Sequence, residues 1–78
     1  MIALVTGSTG FIGSHLCSGL LTAGYQVRAF HRSTSPLTLL QGLPVEHAIG
    51  DITQPASLQS ALHGIDIVFH TAAKLGKS

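Results

Sequence analysis

Charged and aromatic residues are scarce in this sequence. It has four Lys or Arg, three Asp or Glu, three Phe, one Tyr and no Trp. Surfaces that bind nucleic acids combine basic clusters with aromatic side chains that stack on bases, so nucleic acid is excluded as a partner. At 45% hydrophobic residues, the composition is also far too apolar for an intrinsically disordered chain. We therefore expect residues 1–78 to form one compact folded unit.

Cysteine and long apolar runs are also nearly missing. Cys17 is the single cysteine, so no intrachain disulfide can form, and we expect it to be a small buried apolar residue. A reducing cytoplasm is the compartment that this composition favours. No stretch approaches the roughly 18 apolar residues of a membrane span, and the apolar start at residues 1–5 is too short for a signal peptide. We predict a soluble protein without a membrane partner.

Short apolar runs alternate with helical patterns along the chain. Such runs, when bounded by glycine-rich or polar turns, are typical of parallel strands buried on both faces. The four predicted strands are residues 2–5, 26–30, 45–48 and 67–69. A first helix is predicted over residues 11–23, ended by Gly24. Its expected inward face is Ile12, Leu16, Leu20 and Ala23.

Two further helices are predicted between the later strands. Ser35-Pro36 and Gly42 bracket a short leucine-rich segment, and proline suits the first helical position while glycine suits the position after the last. Another helix is expected to be capped by Thr53 or Gln54 and to stop at Gly64. Its predicted inward stripe is Leu58, Ala61, Leu62 and Ile65.

The resulting order is β-α-β-α-β-α-β. Short connections and right-handed crossovers return each strand to the same end of the sheet, which makes the strands parallel. We therefore predict an α/β fold with strand order 3-2-1-4 and helices on both faces. A complete doubly wound domain continues to two more strands, so residues 1–78 are expected to be the N-terminal part of such a domain.

The segment between the first strand and the first helix contains three glycines in the pattern G-x-x-G-x-x-G. Gly7 permits a tight turn, Gly10 lets the backbone approach a pyrophosphate, and Gly13 allows the helix to pack closely. The helix N-terminus then offers unpaired N–H groups to phosphates. A turn with a structural role only is the alternative. The position between a buried strand and an amphipathic helix favours nucleotide binding.

This segment, Thr6-Gly7-Ser8-Thr9-Gly10-Phe11-Ile12-Gly13, resembles the T-G-x-x-G-F-I-G signature of extended short-chain dehydrogenases/reductases. That family includes nucleotide-sugar epimerases, dehydratases and dihydroflavonol reductases with a Rossmann-type domain. Residues 50–52 look like its adenine-contacting segment, and residues 68–73 like its fourth strand and the cofactor contact that follows. The cofactor-binding residues that the resemblance and the residue chemistry imply are Gly7, Thr9, Gly10, Phe11, Ile12, Gly13, Arg32, Asp51, Ile52, Ala72 and Ala73.

Some of these assignments have a structural alternative. Asp51 follows the third strand, where its carboxylate can accept a hydrogen bond from the adenine amino group, or it can cap the next helix. Ala72 and Ala73 are small enough to leave room for a cofactor, but they also suit a plain exit from the fourth strand. Both alternatives stay open at the level of sequence.

The end of the second strand bears on the choice of dinucleotide. NAD-dependent enzymes usually place Asp or Glu there, to accept hydrogen bonds from the ribose hydroxyls, whereas this chain has His31-Arg32. A guanidinium can bind a 2′-phosphate through charge-assisted hydrogen bonds, to which Ser33 and Thr34 could add donors. We therefore predict NADP(H) as cofactor, with NAD as the alternative. Arg32 could instead be a solvated loop residue without a role in binding. Arg28 is interpreted as structural.

Catalytic residues are expected outside these residues. The resemblance implies a Tyr-x-x-x-Lys pair and a Ser or Thr, but the single tyrosine, Tyr25, has Ala29 four positions later. The five histidines show no metal-ligand spacing. We predict the NADP(H)-binding segment of an enzyme acting on a nucleotide sugar or a ketone, inactive on its own and prone to self-association along its fourth strand. A homodimer of the full-length protein stays open. The alternative is a non-catalytic dinucleotide-sensing module.

Overall fold

The computed structural model describes residues 1–71. The strands are β1 (Ile2–Thr6), β2 (Gln26–His31), β3 (Glu46–Ile49) and β4 (Ile67–His70). The helices are α1 (Phe11–Thr22) and α2 (Pro55–Ala61), and a 3-10 turn spans Thr38–Leu40. The predicted strands are confirmed, each end lying within one residue of its expected position.

The four strands form one parallel sheet with the order β3-β2-β1-β4. This confirms the predicted topology. The central strand β1 pairs with β2 from Ile2↔Gln26 to Thr6↔Phe30 and with β4 from Ala3↔Ile67 to Thr6↔His70. Because all four strands run in the same direction, their carboxyl ends meet at one edge of the sheet.

Side chains that alternate along the central strands build a core on each face of the sheet. One buried cluster joins strand residues to Cys17 and Leu20 of α1, and the other joins Leu4 and Phe30 to Ala61 of α2. The prediction of helices on both faces is therefore confirmed. Cys17 is fully buried, as expected for a small apolar residue, and burial raises the pKa of its thiol to about 11.

The inward face of α1 agrees with the predicted one at Leu16 and Leu20 and differs from it at Ile12 and Ala23. The buried positions are Gly13, Ser14, Cys17 and Leu20, whereas Ile12 is 71% exposed and Ala23 lies past the helix end on the surface. Small residues at 13, 14 and 17 let the helix axis approach the sheet. The larger apolar residue at position 12 is thereby turned toward solvent beside the loop.

The predicted leucine-rich helix is wrong, because residues 35–42 form only the 3-10 turn at Thr38–Leu40. Its backbone N–H groups donate to oxygens three residues earlier, as from Leu40 to Leu37 at 3.0 Å. Leu40 is buried, while Leu37 and Leu39 are exposed. Too few residues separate the proline from Gly42 to offset the cost of nucleating an α-helix, and one buried leucine anchors the segment.

The last helix is shorter than expected. It ends at Ala61, so Leu62 is the C-cap and is 38% exposed instead of belonging to the inward stripe. Gln54 occupies the N-cap position but makes no capping hydrogen bond through its side chain. Among residues 1–71, no helix has the length and apolar character needed to cross a membrane.

Arg28 ties this helix to the sheet. Its Nη1 donates to the carbonyl oxygens of Ala61 and His63 at 2.6 and 2.7 Å, and its Nε donates to Glu46 Oε1 at 3.0 Å. A cation that binds the last carbonyls of a helix also opposes the negative end of the helix dipole. The interpretation of Arg28 as a structural residue is confirmed.

Candidate functional site

The carboxyl edge of the sheet opens into a cavity of about 660 Å³. In open α/β sheets, ligands bind in the crevice at this edge, where neighbouring strands lead to helices on opposite faces. In this strand order, the crevice lies between β1 and β4, next to the turn that joins β1 to α1. The cavity is lined by Gly7, Thr9, Gly10, Phe30, His31, Arg32, Ser35, Gly50, Asp51, Ile52, Thr53 and Thr71.

The turn after β1 is held by its own main chain. Gly7 has a φ of 65°, a conformation that residues with a side chain rarely adopt. The Gly10 N–H donates to the Gly7 carbonyl oxygen at 3.1 Å. The buried hydroxyl of Ser8 donates to the Phe30 carbonyl oxygen at 3.1 Å, which fastens the turn to the end of β2. The expected tight turn at Gly7 is therefore present.

Gly13 allows α1 to lie directly against this turn. A Cβ atom at Gly13 would be 2.8 Å from the Gly7 carbonyl carbon and 2.9 Å from the Ser8 Cα, and closer still to the Gly7 oxygen. These neighbours are main-chain atoms that cannot move aside. The close packing expected of Gly13 is present, and its partner is the turn at residues 7–8.

The N-terminus of α1 is available to an anion. Its N-cap is Gly10, no side chain caps it, and no acidic residue lies in its first turn. The first N–H groups of a helix lack partners within the helix and carry the positive end of its dipole. The side chains of Phe11 and Ile12 are 69% and 71% exposed and do not line the cavity. Any contribution from these two residues to phosphate binding must come from their main-chain N–H groups.

On the other side of the cavity, Arg32 and Asp51 supply opposite charges. Arg32 is exposed and follows β2 directly. The Asp51 Oδ1 accepts hydrogen bonds from the Thr53 N–H at 2.9 Å and the Thr53 hydroxyl at 2.8 Å. These two bonds, and the charge of Arg32 after them, hold the pKa of the Asp51 carboxyl below its usual value. The carboxylate is thus ionised at neutral pH and can only accept hydrogen bonds.

The two interpretations of Asp51 are compatible in this geometry. Its Oδ1 stabilises the turn at residues 51–54 and does not cap α2, whose N-cap is Gln54. Within residues 1–71, Oδ2 has no hydrogen-bond partner, and Asp51 lines the cavity. One oxygen therefore shapes the turn, and the other is free to accept a hydrogen bond from a ligand.

The structure brings six of the predicted site residues together around the cavity and adds others. The six are Gly7, Thr9, Gly10, Arg32, Asp51 and Ile52. Ser35 lines the cavity, whereas Ser33 and Thr34, proposed as phosphate donors, do not. Gly50 also lines the cavity, and a Cβ there would lie 2.7 Å from Phe30 Cε1 and 2.8 Å from Ser57 Cβ. Ala72 and Ala73 lie outside the described residues.

Comparison with known proteins agrees with this geometry. A model of the NAD dependent epimerase/dehydratase family matches residues 3–78. The chain belongs to this family. It is 47% identical over 73 residues to sterol demethylase protein B of Methylococcus capsulatus, covering 94% of this chain and 22% of that protein. It is 46% identical over 76 residues to the 2-alkyl-3-oxoalkanoate reductase of Stenotrophomonas maltophilia, covering 97% and 22%.

Solved structures of this family share the fold. The nucleoside-diphosphate-sugar epimerase of Pseudomonas aeruginosa superimposes with a TM-score of 0.84 and 30% identity, over 91% of this chain and 24% of its own. The chain therefore spans about a fifth to a quarter of the length of these relatives. It corresponds to the dinucleotide-binding N-terminal region of epimerases, dehydratases and reductases. Among residues 1–71, no three His, Cys, Asp or Glu side chains are grouped so as to hold a metal ion.

Proposed function

We propose that the protein containing this chain is an NADP(H)-dependent enzyme whose cofactor lies across the carboxyl edge of the sheet. The pyrophosphate end of the site is residues 7–13, where the glycine turn meets the N-terminus of α1. The adenosine end is residues 30–35 together with residues 50–53. The observation that carries the choice of NADP(H) is Arg32, an exposed cation that lines the cavity where an NAD enzyme usually has a carboxylate.

Charge and hydrogen-bonding capacity support this placement. The uncapped helix start and the bare main chain at Gly10 suit the two negative charges of a pyrophosphate. A guanidinium at position 32 can form two hydrogen bonds to a 2′-phosphate. The free Asp51 oxygen can accept a hydrogen bond from the adenine amino group. Bound NADPH would supply a hydride at its nicotinamide.

The substrate class that we propose is a ketone. The relatives described above with the higher identity include a reductase of a 3-oxoalkanoate, and the nucleoside-diphosphate-sugar epimerase is less similar. Reduction of a ketone adds a hydride to the carbonyl carbon and a proton to its oxygen, so an acid must stand beside that oxygen. The Tyr-x-x-x-Lys pair that supplies it in this family is not among residues 1–78. Epimerisation or dehydration of a nucleotide sugar is the alternative.

Substitution of Arg32 tests the cofactor assignment. In the intact protein, Arg32→Gln should weaken NADPH binding about tenfold, the effect of losing a charge-assisted hydrogen bond, and Arg32→Asp should weaken it further. NADH affinity should stay the same or improve. Gln41→Asp, which lies outside the cavity and changes the net charge by the same amount as Arg32→Gln, is the control. Unchanged NADPH affinity in both Arg32 variants, measured by fluorescence titration, would refute the assignment.

A further inference from the structure

His31 and His47 form a pair of histidines next to Arg32. His31 lines the cavity, but the function proposed above assigns no ligand contact to either ring. His31, the last residue of β2, is only 7% exposed. Its Nδ1 is 3.0 Å from the Arg32 carbonyl oxygen, and its Nε2 is 2.9 Å from Nδ1 of His47 on β3. The two rings meet edge to face, with centroids 5.1 Å apart and planes inclined by 74°.

The contacts fix where the protons are. A carbonyl oxygen can only accept, so the His31 Nδ1 must carry a proton to form its bond with Arg32. In a neutral imidazole the other nitrogen is then an acceptor, so the His31 Nε2 accepts and the His47 Nδ1 must donate to it. The hydrogen bonds thus run from His47 through His31 to the main chain of Arg32.

The Arg32 carbonyl is the point where the chain leaves β2. The same oxygen accepts a hydrogen bond from the Ser35 N–H at 3.1 Å, and the neighbouring His31 carbonyl accepts one from the Gly50 N–H at 2.9 Å. Within residues 1–71, the Arg32 side chain is exposed and has no hydrogen-bond or ion-pair partner. Since no hydrogen bond or ion pair holds the guanidinium, the main chain at this point fixes only the place and direction from which the Arg32 side chain extends toward the cavity.

We propose that His31 and His47 are positioning residues that hold the main chain at Arg32 and thereby set the preference for a 2′-phosphorylated dinucleotide. This inference rests on the proposed role of Arg32 at the 2′-phosphate. His31 is a positioning residue, since its ring nitrogens are both engaged with protein atoms. His47 is exposed on the edge strand, so it can be substituted without opening the core.

The first experiment requires no ligand. In the intact protein with 15N-labelled histidine, at pH 8 where histidine is ordinarily neutral, a long-range 1H–15N spectrum reports which ring nitrogen carries the proton. The expected result is a proton on Nδ1 of His31. A proton on Nε2 would overturn the proposal whatever Arg32 binds. His63, whose ring has no protein partner among the described hydrogen bonds, is the internal reference.

The second experiment compares variants at position 47. His47→Ala removes the donor and should lower the ratio of NADPH to NADH affinity about three- to tenfold, the effect of one hydrogen bond. His47→Asn keeps a donor and should restore the ratio, while His63→Ala, an exposed histidine outside the cavity, should leave it unchanged. An equal loss of NADPH and NADH affinity would show a merely structural role and overturn the proposal, as would no loss of either.

A double variant separates this inference from the function on which it rests. In an Arg32→Gln background, His47→Ala should cause no further change in the ratio, because the pair acts through Arg32. A further change of the same size as in the wild type would overturn the positioning role. If Arg32→Gln alone leaves NADPH affinity unchanged while His31 carries its proton on Nδ1, the cofactor assignment has failed and the hydrogen-bond geometry stands.

Discussion

The two ends of the cavity are built from different parts of the chain. At the pyrophosphate end, the shape is made by main-chain atoms: a left-handed Gly7, a bare Gly10 and a helix that touches the turn at Gly13. At the adenosine end, the shape and charge of the cavity come from side chains, namely Asp51 with its two hydrogen bonds from Thr53 and the exposed Arg32. The first end has no room for a side chain at Gly13, whereas the second depends on side chains.

This difference decides how each end responds to substitution. Where the main chain leaves no space for a Cβ, almost any substitution should strongly lower the stability of the fold. Packed backbone atoms have no alternative rotamers through which they could make room. Side-chain hydrogen bonds at a solvent-exposed edge contribute about 0.5–1.5 kcal/mol each, so they can be altered singly. The pyrophosphate end should therefore be rigidly defined, and the adenosine end should be the adjustable part of the site.

The largest expected effect on stability comes from a substitution in α1. Gly13→Ala forces a Cβ against the carbonyl carbon of Gly7 and the Cα of Ser8 at 2.8 and 2.9 Å, and should destabilise the fold by roughly 1–3 kcal/mol. Gly19→Ala, in the same helix with open space around its Cβ, should stabilise it by up to about 1 kcal/mol through helix propensity. Urea unfolding measures both. Equal stability of the two variants would contradict the close contact of α1 with the turn.

A second test separates binding from folding at the pyrophosphate end. Gly10 has φ and ψ of −78° and 171°, which any residue can adopt, and a Cβ there meets only the Gly7 oxygen at 3.5 Å. Gly10→Val should therefore change the unfolding free energy by less than about 1 kcal/mol, as for other N-cap changes. It should weaken dinucleotide binding about tenfold or more, because the side chain would occupy the place that we propose for the pyrophosphate. Calorimetric titration that finds wild-type affinity would remove Gly10 from the phosphate site.

The same contrast explains how much could be predicted from the sequence. The glycine turn and the strand order were predictable, because main-chain requirements restrict the residue type at positions 7 and 13 and short crossovers restrict the topology. In α1, hydrophobic periodicity identifies Leu16 and Leu20 but misses the small residues at positions 13, 14 and 17, which are buried where the helix packs closely. Periodicity reports hydrophobicity, and it does not report how near two backbones approach.

The adenosine end was harder to predict because its contacts depend on strand register and on side-chain conformation. The His31 to His47 bond spans 16 residues, and it forms only because β2 and β3 pair in a register that places Ala29 beside His47. The Ser57 hydroxyl, six residues from Asp51, accepts a bond from the Asp51 N–H at 3.0 Å. Neither contact follows a sequence motif. Register and side-chain rotamers, which a single sequence leaves undetermined, decide both.

The smallest expected effect concerns one hydroxyl at the adenosine end. The pKa of the Asp51 carboxyl is lowered first by the Thr53 N–H bond and then by the Thr53 hydroxyl bond, ahead of the charge of Arg32. Thr53→Val keeps the N–H and the shape of the side chain but removes the hydroxyl donor. The pKa of Asp51 should therefore rise part of the way toward its ordinary value, which a pH titration followed by NMR of the Asp51 carboxyl carbon can measure.

The pH dependence of stability follows from the same bond. A carboxyl whose pKa is lowered by folding adds stability above its unfolded pKa, and that stability is lost as the pH falls through the folded value. Wild type and Thr53→Val should thus differ slightly in unfolding free energy at pH 7 and converge in acid. Thr22→Val, which removes an exposed hydroxyl bonded within α1 at 3.1 Å, serves as control and should leave the Asp51 titration unchanged. If Thr53→Val also leaves it unchanged, the hydroxyl bond contributes nothing to the Asp51 carboxylate, and the adenosine end is less dependent on side chains than its contacts indicate.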